Sequence, residues 1–256
     1  MSSQSAPTAT TGPAVRTIDS TEIAKFNAMA EAWWDPHGDF KPLHQLNPTR
    51  IAFLRDAAAR HFGRVASEDA PLEGLSRCEI GCGGGLLTEP MRRLGAEVTG
   101  VDPSHRTVGI ARAHAEKSGL KITYLQCAAE DMVDREERFD IVLAMEVIEH
   151  VTDVGAFLSR CAAMVKPGGM MVVSTLNRNW KSFALAIVGA EYVLRWLPRG
   201  THQWDKFVTP DELAQHLAHS KFAITEQAGV VYNPLADRWS ISSDMDVNYM
   251  VVAEGM

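Results

Sequence analysis

Two short segments carry residues whose types and spacing could do chemistry. The first is Cys78-Glu79-Ile80-Gly81-Cys82-Gly83-Gly84-Gly85, where a strand-like run passes into a helix-like one. Glycines at Gly81, Gly83 and Gly85 would let a ligand approach backbone N–H groups at a helix N-terminus. The dinucleotide fingerprint G-x-G-x-x-G is not met, because its last position is Leu86 and the third glycine comes one residue early. Glu79 beside this loop would repel a pyrophosphate but attract a ligand carrying an ammonium and a sulfonium, and S-adenosylmethionine is such a ligand. Asp102, at the end of the next strand-like run, could accept both ribose hydroxyl protons. It could also be no more than a cap for the following helix. Ala129-Glu130 and Met145 fall where an adenine ring would lie, although Met145 reads equally well as core.

The second segment is Glu146-Val147-Ile148-Glu149-His150. At helical spacing its three polar side chains would share one face, at the carboxyl end of a strand. Two carboxylates and an imidazole could hold a divalent ion (Mg2+ or Zn2+) with open positions for a catechol's adjacent oxygens, with His202 as candidate fourth ligand. Without a metal, Glu149 or His150 could act as general base toward a phenol, whose ordinary pKa is about 10. A Glu-His pair here could also merely prop the neighbouring loop.

The elements that must position these residues alternate. Strands are expected at 77–80, 97–101, 122–125, 139–145 and 170–175, with helices at 86–94, 104–117 and 153–165 between them. Short connections and this βαβ order predict an α/β fold, a doubly wound and mostly parallel sheet. Ahead of it, a helix begins near Ser20 as candidate cap and stops at Asp35-Pro36. A second helix runs from Asn47 or Thr49 to Ala59 after a turn around Pro42. Residues 1–18 are rich in Ser, Ala, Thr and Pro and read as a disordered tail, leaving 19–256 as one domain, with 19–60 a helical lid and 177–206 an insertion. Thr209, Pro210, Asp211 and Glu212 mark a helix start. Runs at 222–232 and 246–252 would add strands at the sheet edge.

Composition narrows the classes. The 256 residues carry 25 Lys and Arg against 32 Asp and Glu, a formal charge of -7, which disfavours a nucleic-acid partner. Four cysteines without C-x-x-C spacing read as core thiols in a reducing cytoplasm. No run reaches the ~18 apolar residues of a spanning helix. The stretch 180–197 nevertheless has an apolar side with Phe183, Ile187 and Val188 and the interfacial rings Trp180, Tyr192 and Trp196. It is expected either to lie on the inner face of the cytoplasmic membrane or to pack as a lid.

With these motifs in hand, the chain resembles the class I S-adenosylmethionine-dependent methyltransferases. From about Glu22 to Val251 it resembles more closely the bacterial ubiquinone-biosynthesis O-methyltransferases and their mitochondrial relatives. The resemblance is carried by Trp33-Trp34-Asp35-Pro36, Phe40-Lys41-Pro42-Leu43-His44, Asn47-Pro48-Thr49-Arg50, Ser174-Thr175-Leu176-Asn177-Arg178-Asn179 and Asp246-Val247-Asn248-Tyr249-Met250. It implies methylation of phenolic hydroxyls on a polyprenyl catechol and on demethylubiquinol, with cofactor contacts at Arg50, Gly81, Asp102 and Met145. An arginine suits the cofactor's carboxylate, which a guanidinium binds bidentately. The resemblance also implies a metal at the E-x-x-E-H run, and makes other ubiquinone-biosynthesis proteins candidate partners. Glu79 departs from the family's usual Asp but keeps the charge. An RNA 2′-O-methyltransferase using the same cluster, or a non-catalytic cofactor-binding scaffold, are the alternatives. Trp33 and Trp34 are expected to pack the first helix or to close over the cofactor.

Overall fold

The computed structural model describes residues 16–185 and 203–256. Two helices lead the chain, α1 (Ser20–Met29) and α2 (Lys41–His61). There follow β1 (Ser76–Ile80), α3 (Thr88–Arg93), β2 (Glu97–Asp102), α4 (His105–Lys117), β3 (Thr123–Gln126), α5 (Ala129–Asp134), β4 (Phe139–Met145), α6 (Val154–Ala163) and β5 (Val165–Leu176). The last elements are α7 (Trp180–Ser182), α8 (Pro210–His219), β6 (Phe222–Asn233), β7 (Arg238–Ser242) and β8 (Asn248–Gly255). They form one eight-stranded sheet of order β3-β2-β1-β4-β5-β8-β6-β7. The strands from β3 to β5 are parallel, and β8, β6 and β7 pair antiparallel. The fold is therefore the expected doubly wound, mostly parallel α/β sheet.

Burial on both faces makes β4 and the second half of β5 largely apolar, as parallel sheets favour. Val142 and Ala144 of β4 join Met171 and Val173 of β5 in a core covered by α5, α6 and α8. Ile141, Leu143 and Met145 face the other way, with Val172 of β5, against Phe53, Leu54 and Ala57 of α2. The start of α8 has Thr209 as its cap, as expected, and the structure adds a capping box: Thr209 Oγ1 accepts from Glu212 N, and Glu212 Oε2 accepts from Thr209 N at 2.9 Å.

Several boundaries differ from those expected. Asp19, not Ser20, caps α1 by accepting from Thr21 N at 2.9 Å. Helix α2 starts six residues before Asn47, because Pro42 lies in its first turn, where a missing N–H costs nothing; Pro48 is carried inside the helix. The short helix α5 and the strand β7 were not anticipated. Strand β8 lies not at the edge but between β5 and β6. The expected tail is ordered at its end: Thr17 is buried, donating through both N and Oγ1 to Glu130 Oε1 at 2.7 Å. Ile18 forms an antiparallel bridge with Val151.

Leu143→Ala in β4, where the side chain is 1 % exposed, should cost about 2 to 5 kcal/mol of unfolding free energy. Urea denaturation followed by circular dichroism should show a lower midpoint with an unchanged slope.

Candidate active site

Strand order reverses between β1 and β4, and open α/β sheets bind ligands outside the carboxyl ends of strands at such a switch point. Both chemical segments lie there. The loop leaving β1 turns back at once, Gly81 N and Cys82 N both donating to Val101 O at 2.8 and 3.0 Å. Gly81 has φ +72° and Gly83 φ +51°, conformations that side chains resist. A Cβ on Gly83 would overlap the Trp33 indole, so this glycine is needed for the close approach of the tryptophan as well as of any ligand. Trp33 also packs on Phe40, ring centroids 4.1 Å apart, while Trp34 donates from Nε1 to Gly84 O at 2.9 Å and stacks on His114. The packing expectation for these tryptophans is met, and what the N-terminal helices pack on through them is the glycine loop.

A cavity of about 690 Å³ opens over the loop. Arg50, Glu79, Gly81, Gly83, Asp102 and Met145 all line it, as do Glu146, Glu149 and His150. Gly85 is not in its wall; it faces Tyr124 and Thr88 behind the loop. Asp102 already binds backbone: Oδ2 accepts from Gly83 N at 3.0 Å and Oδ1 from Ser104 N at 2.8 Å, with Thr107 Oγ1 at 3.0 Å. It therefore ties the glycine loop to the start of α4, whose N-cap is Ser104, and burial raises its pKa. Arg50 is buried on α2 with Nη2 on Asn47 Oδ1 at 3.0 Å and Nε without a partner. Burial lowers its pKa, while the carboxylates of Glu146 and Glu79 oppose that shift. A guanidinium with an unmet donor in the cavity wall suits an incoming carboxylate.

The second segment departs from its expected geometry. Glu146 sits at φ +56°, and only Ile148–His150 forms a helical turn, of the tighter 3-10 kind. The three side chains consequently do not share one helical face. Glu146 accepts from Ser174 Oγ at 2.7 Å, Glu149 from Thr175 Oγ1 at 2.9 Å, and His150 Nδ1 lies 2.8 Å from Glu22 Oε2. Among the described residues no three His, Cys, Asp or Glu side chains are gathered so as to hold a metal ion. His202 lies outside the described residues. Two features nonetheless suit a cation: Glu149 Oε1 is buried without a donor, and burial, then the nearby Glu146 charge, pushes the Glu149 pKa well up. Glu22 is held down at about 2, first by the hydrogen bond from His150. An ionised carboxylate can only accept, so in this contact His150 donates from Nδ1.

Glu22, Ser174 and Thr175 were missed as site residues. Ser174 and Thr175 left a signal, two adjacent hydroxyls at the end of an otherwise apolar strand. Glu22 left none, since a glutamate in the first turn of a helix already satisfies the helix dipole.

The profile of the methyltransferase-domain family matches residues 49–227. The ubiquinone biosynthesis O-methyltransferase of Rhodopseudomonas palustris (strain BisB18) is 68 % identical over 238 residues, 93 % of each chain. That of Bradyrhizobium sp. (strain ORS 278) is 65 % identical over 94 % of each. Among solved structures, magnesium protoporphyrin IX methyltransferase from Synechocystis PCC 6803, with bound SAH, superposes at a TM-score of 0.63 and 18 % identity, covering 91 % of this chain and 95 % of that one. The fold is shared with that enzyme; the near-full-length identity to the former group goes further, and the chain belongs to the ubiquinone biosynthesis O-methyltransferases.

Proposed function

We propose that the chain methylates phenolic hydroxyls of polyprenylated ubiquinone precursors, with the cofactor over the glycine loop and the phenol at the Glu146–His150 turn. The observation that carries this reading is the single cavity wall on which the loop, Asp102 and the His150 imidazole meet. When bound there, S-adenosylmethionine would supply a methyl already activated on a sulfonium, to be transferred to the phenol oxygen with S-adenosylhomocysteine as the other product. Glu79 and Arg50 offer opposite charges to the zwitterionic end of the cofactor, and Asp102 offers acceptors to its ribose. Where no ion is bound, His150 accepts the phenol proton at Nε2, its ring fixed by Glu22 from α1. Because the donor is activated, holding the two reactants in place supplies much of the remaining rate.

The buried, donor-free oxygen of Glu149 beside Glu146 supports a divalent ion at this carboxylate pair, with His150 held through Nδ1 as metal-bound imidazoles are. Such an ion would lower the phenol pKa and orient adjacent oxygens.

Docking at a membrane surface is supported beside the cavity, where Lys181 and Leu185 line its wall. Trp180 is 80 % exposed, and Phe183 and Leu185 are about half exposed. Residues 186–197 of the expected segment lie outside the described residues. No described helix is long and apolar enough to cross a membrane.

Three measurements test these roles. Asp102→Ala should weaken S-adenosylhomocysteine binding by about 1 to 3 kcal/mol in calorimetry, the cost of leaving partners unpaired; unchanged affinity would dismiss the ribose contact. The double variant E149Q/H150N should lose methyl transfer to a short-chain catechol while keeping cofactor affinity. EDTA should reproduce that loss and added Mg2+ or Zn2+ reverse it, whereas full turnover in EDTA leaves His150 as base without an ion. Anionic phosphatidylglycerol vesicles should sediment the wild type at low salt, and replacing Trp180, Phe183 and Leu185 by Ser should reduce sedimentation without changing cofactor affinity.

A further inference from the structure

Arg77 stands two residues before Glu79 on β1, so the two side chains rise from the same face of the sheet. That face is the apolar layer under α2. The residues in register with Arg77 are Val98 on β2 and Ile141 on β4, both in the core that also contains Leu54 and Ala57. A guanidinium is out of place there. Arg77 is 0 % exposed, and its Nε and Nη1 have no hydrogen-bond partner. Its one described polar contact is Nη2 to Glu79 Oε2, at 2.8 Å. Apolar residues of similar volume at both positions of the pair would pack this layer without unmet donors and, for buried ion pairs in general, with equal or better stability. The pair is thus poorly explained by packing, and its other end explains it: Glu79 lines the cavity, at the mouth of the glycine loop.

We propose that Arg77 is a positioning residue for the cofactor, gripping one carboxylate oxygen of Glu79 from within the core so that the other is presented to the cofactor's ammonium. The inference rests on the reading that Glu79 meets that ammonium. Burial alone pushes the Glu79 pKa up; the Arg77 charge is the largest influence pulling it back, followed by Arg50. The other titratable groups interacting by charge with Glu79 are Asp102 from β2, Tyr124 from β3, Cys82 from the loop and, from the opposite face of its own strand, Cys78. Asp102 opposes ionisation of Glu79. Arg77 differs from Arg50 in having no route to the ligand itself: it lies below the cavity wall and acts only through Glu79.

Calorimetric binding of S-adenosylhomocysteine, which keeps the ammonium, tests this between pH 6 and 9 on the full chain. E79Q should bind at least tenfold more weakly than wild type, following only the ligand's own titration. R77M should be as weak as E79Q at pH 6 and recover toward wild type as pH rises, because an unpaired buried carboxylate ionises later. R77K should stay near wild type, and R77M/E79Q should be no weaker than E79Q. R77Q, which keeps donors but no charge, should repeat the R77M profile and stands in for it if that variant unfolds. Wild-type affinity in R77M or R77Q at pH 6, a loss that does not vary with pH, or an additive loss in the double variant overturns the proposal. Wild-type affinity in E79Q instead overturns the Glu79 contact itself, whatever Arg77 does.

Discussion

The reversal of strand order between β1 and β4 is the constraint from which the rest of the site follows. Strands β2 and β3 build outward from one side of β1, while β4 and β5 build from the other. The two chain segments leaving β1 and β4 touch where Val147 packs on Gly81, yet they leave a cavity above the sheet. The gap exposes backbone ends that need partners, and the chain fills it from elsewhere in sequence. Helix α2 brings Arg50 and Asn47 over one wall, and Asn47 Nδ2 binds Leu86 O at 2.6 Å. Helix α1 brings Glu22 to His150, and the strap ahead of it ties Thr17 to Glu130 on α5. The N-terminal segment is thus part of the site's construction.

What that construction encloses is a set of buried charges. Arg50, Arg77, Glu79 and Glu149 are all nearly inaccessible to water. Each ion taken out of water costs several kcal/mol before its partners are counted. The cluster is not internally settled: Arg50 has an unmet donor, Arg77 has two, and Glu149 has an oxygen without one. A sequence selected for stability alone would not keep these groups. Places where local rules fail in a well-packed protein mark function, and here the failures gather around one cavity, while the two apolar layers beneath it are broken by Arg77, which reaches that cavity through Glu79.

Much of this was legible in the sequence, and the parts that were not share a cause. The strands of the parallel half could be read because burial on both faces makes them apolar runs between turn residues, and β4 matches its expected bounds from Phe139 to Met145. The glycine loop, Glu79 and Asp102 could be read because each answers to a neighbour close along the chain. Glu22 with His150 and Ser174 with Glu146 could not, since each pair joins residues brought together only by folding. The E-x-x-E-H run shows the same limit in reverse. Its spacing fits a helical face, but Glu146 turns into a left-handed conformation to reach Ser174, whose backbone oxygen and hydroxyl both accept from Glu146 N at 3.1 Å. Placement of β8 was equally hidden, for nothing local states which neighbours a strand will choose.

The position of β8 has a consequence for the order in which the molecule can assemble. It follows β6 and β7 in the chain yet lies between β5 and β6, so these two strands never pair with each other. Until residues 248–255 arrive, β5 keeps an open edge of seven paired positions, from Met170 to Leu176, all apolar but two. The hairpin of β6 and β7 has no sheet to join in that interval. An unpaired apolar edge of this kind is a template for pairing with other chains, and it closes only through a contact distant in sequence, which carries the larger loop-closure cost. The parallel half can be complete while the molecule is still open along β5, and β8 is the element whose arrival makes one sheet of two parts.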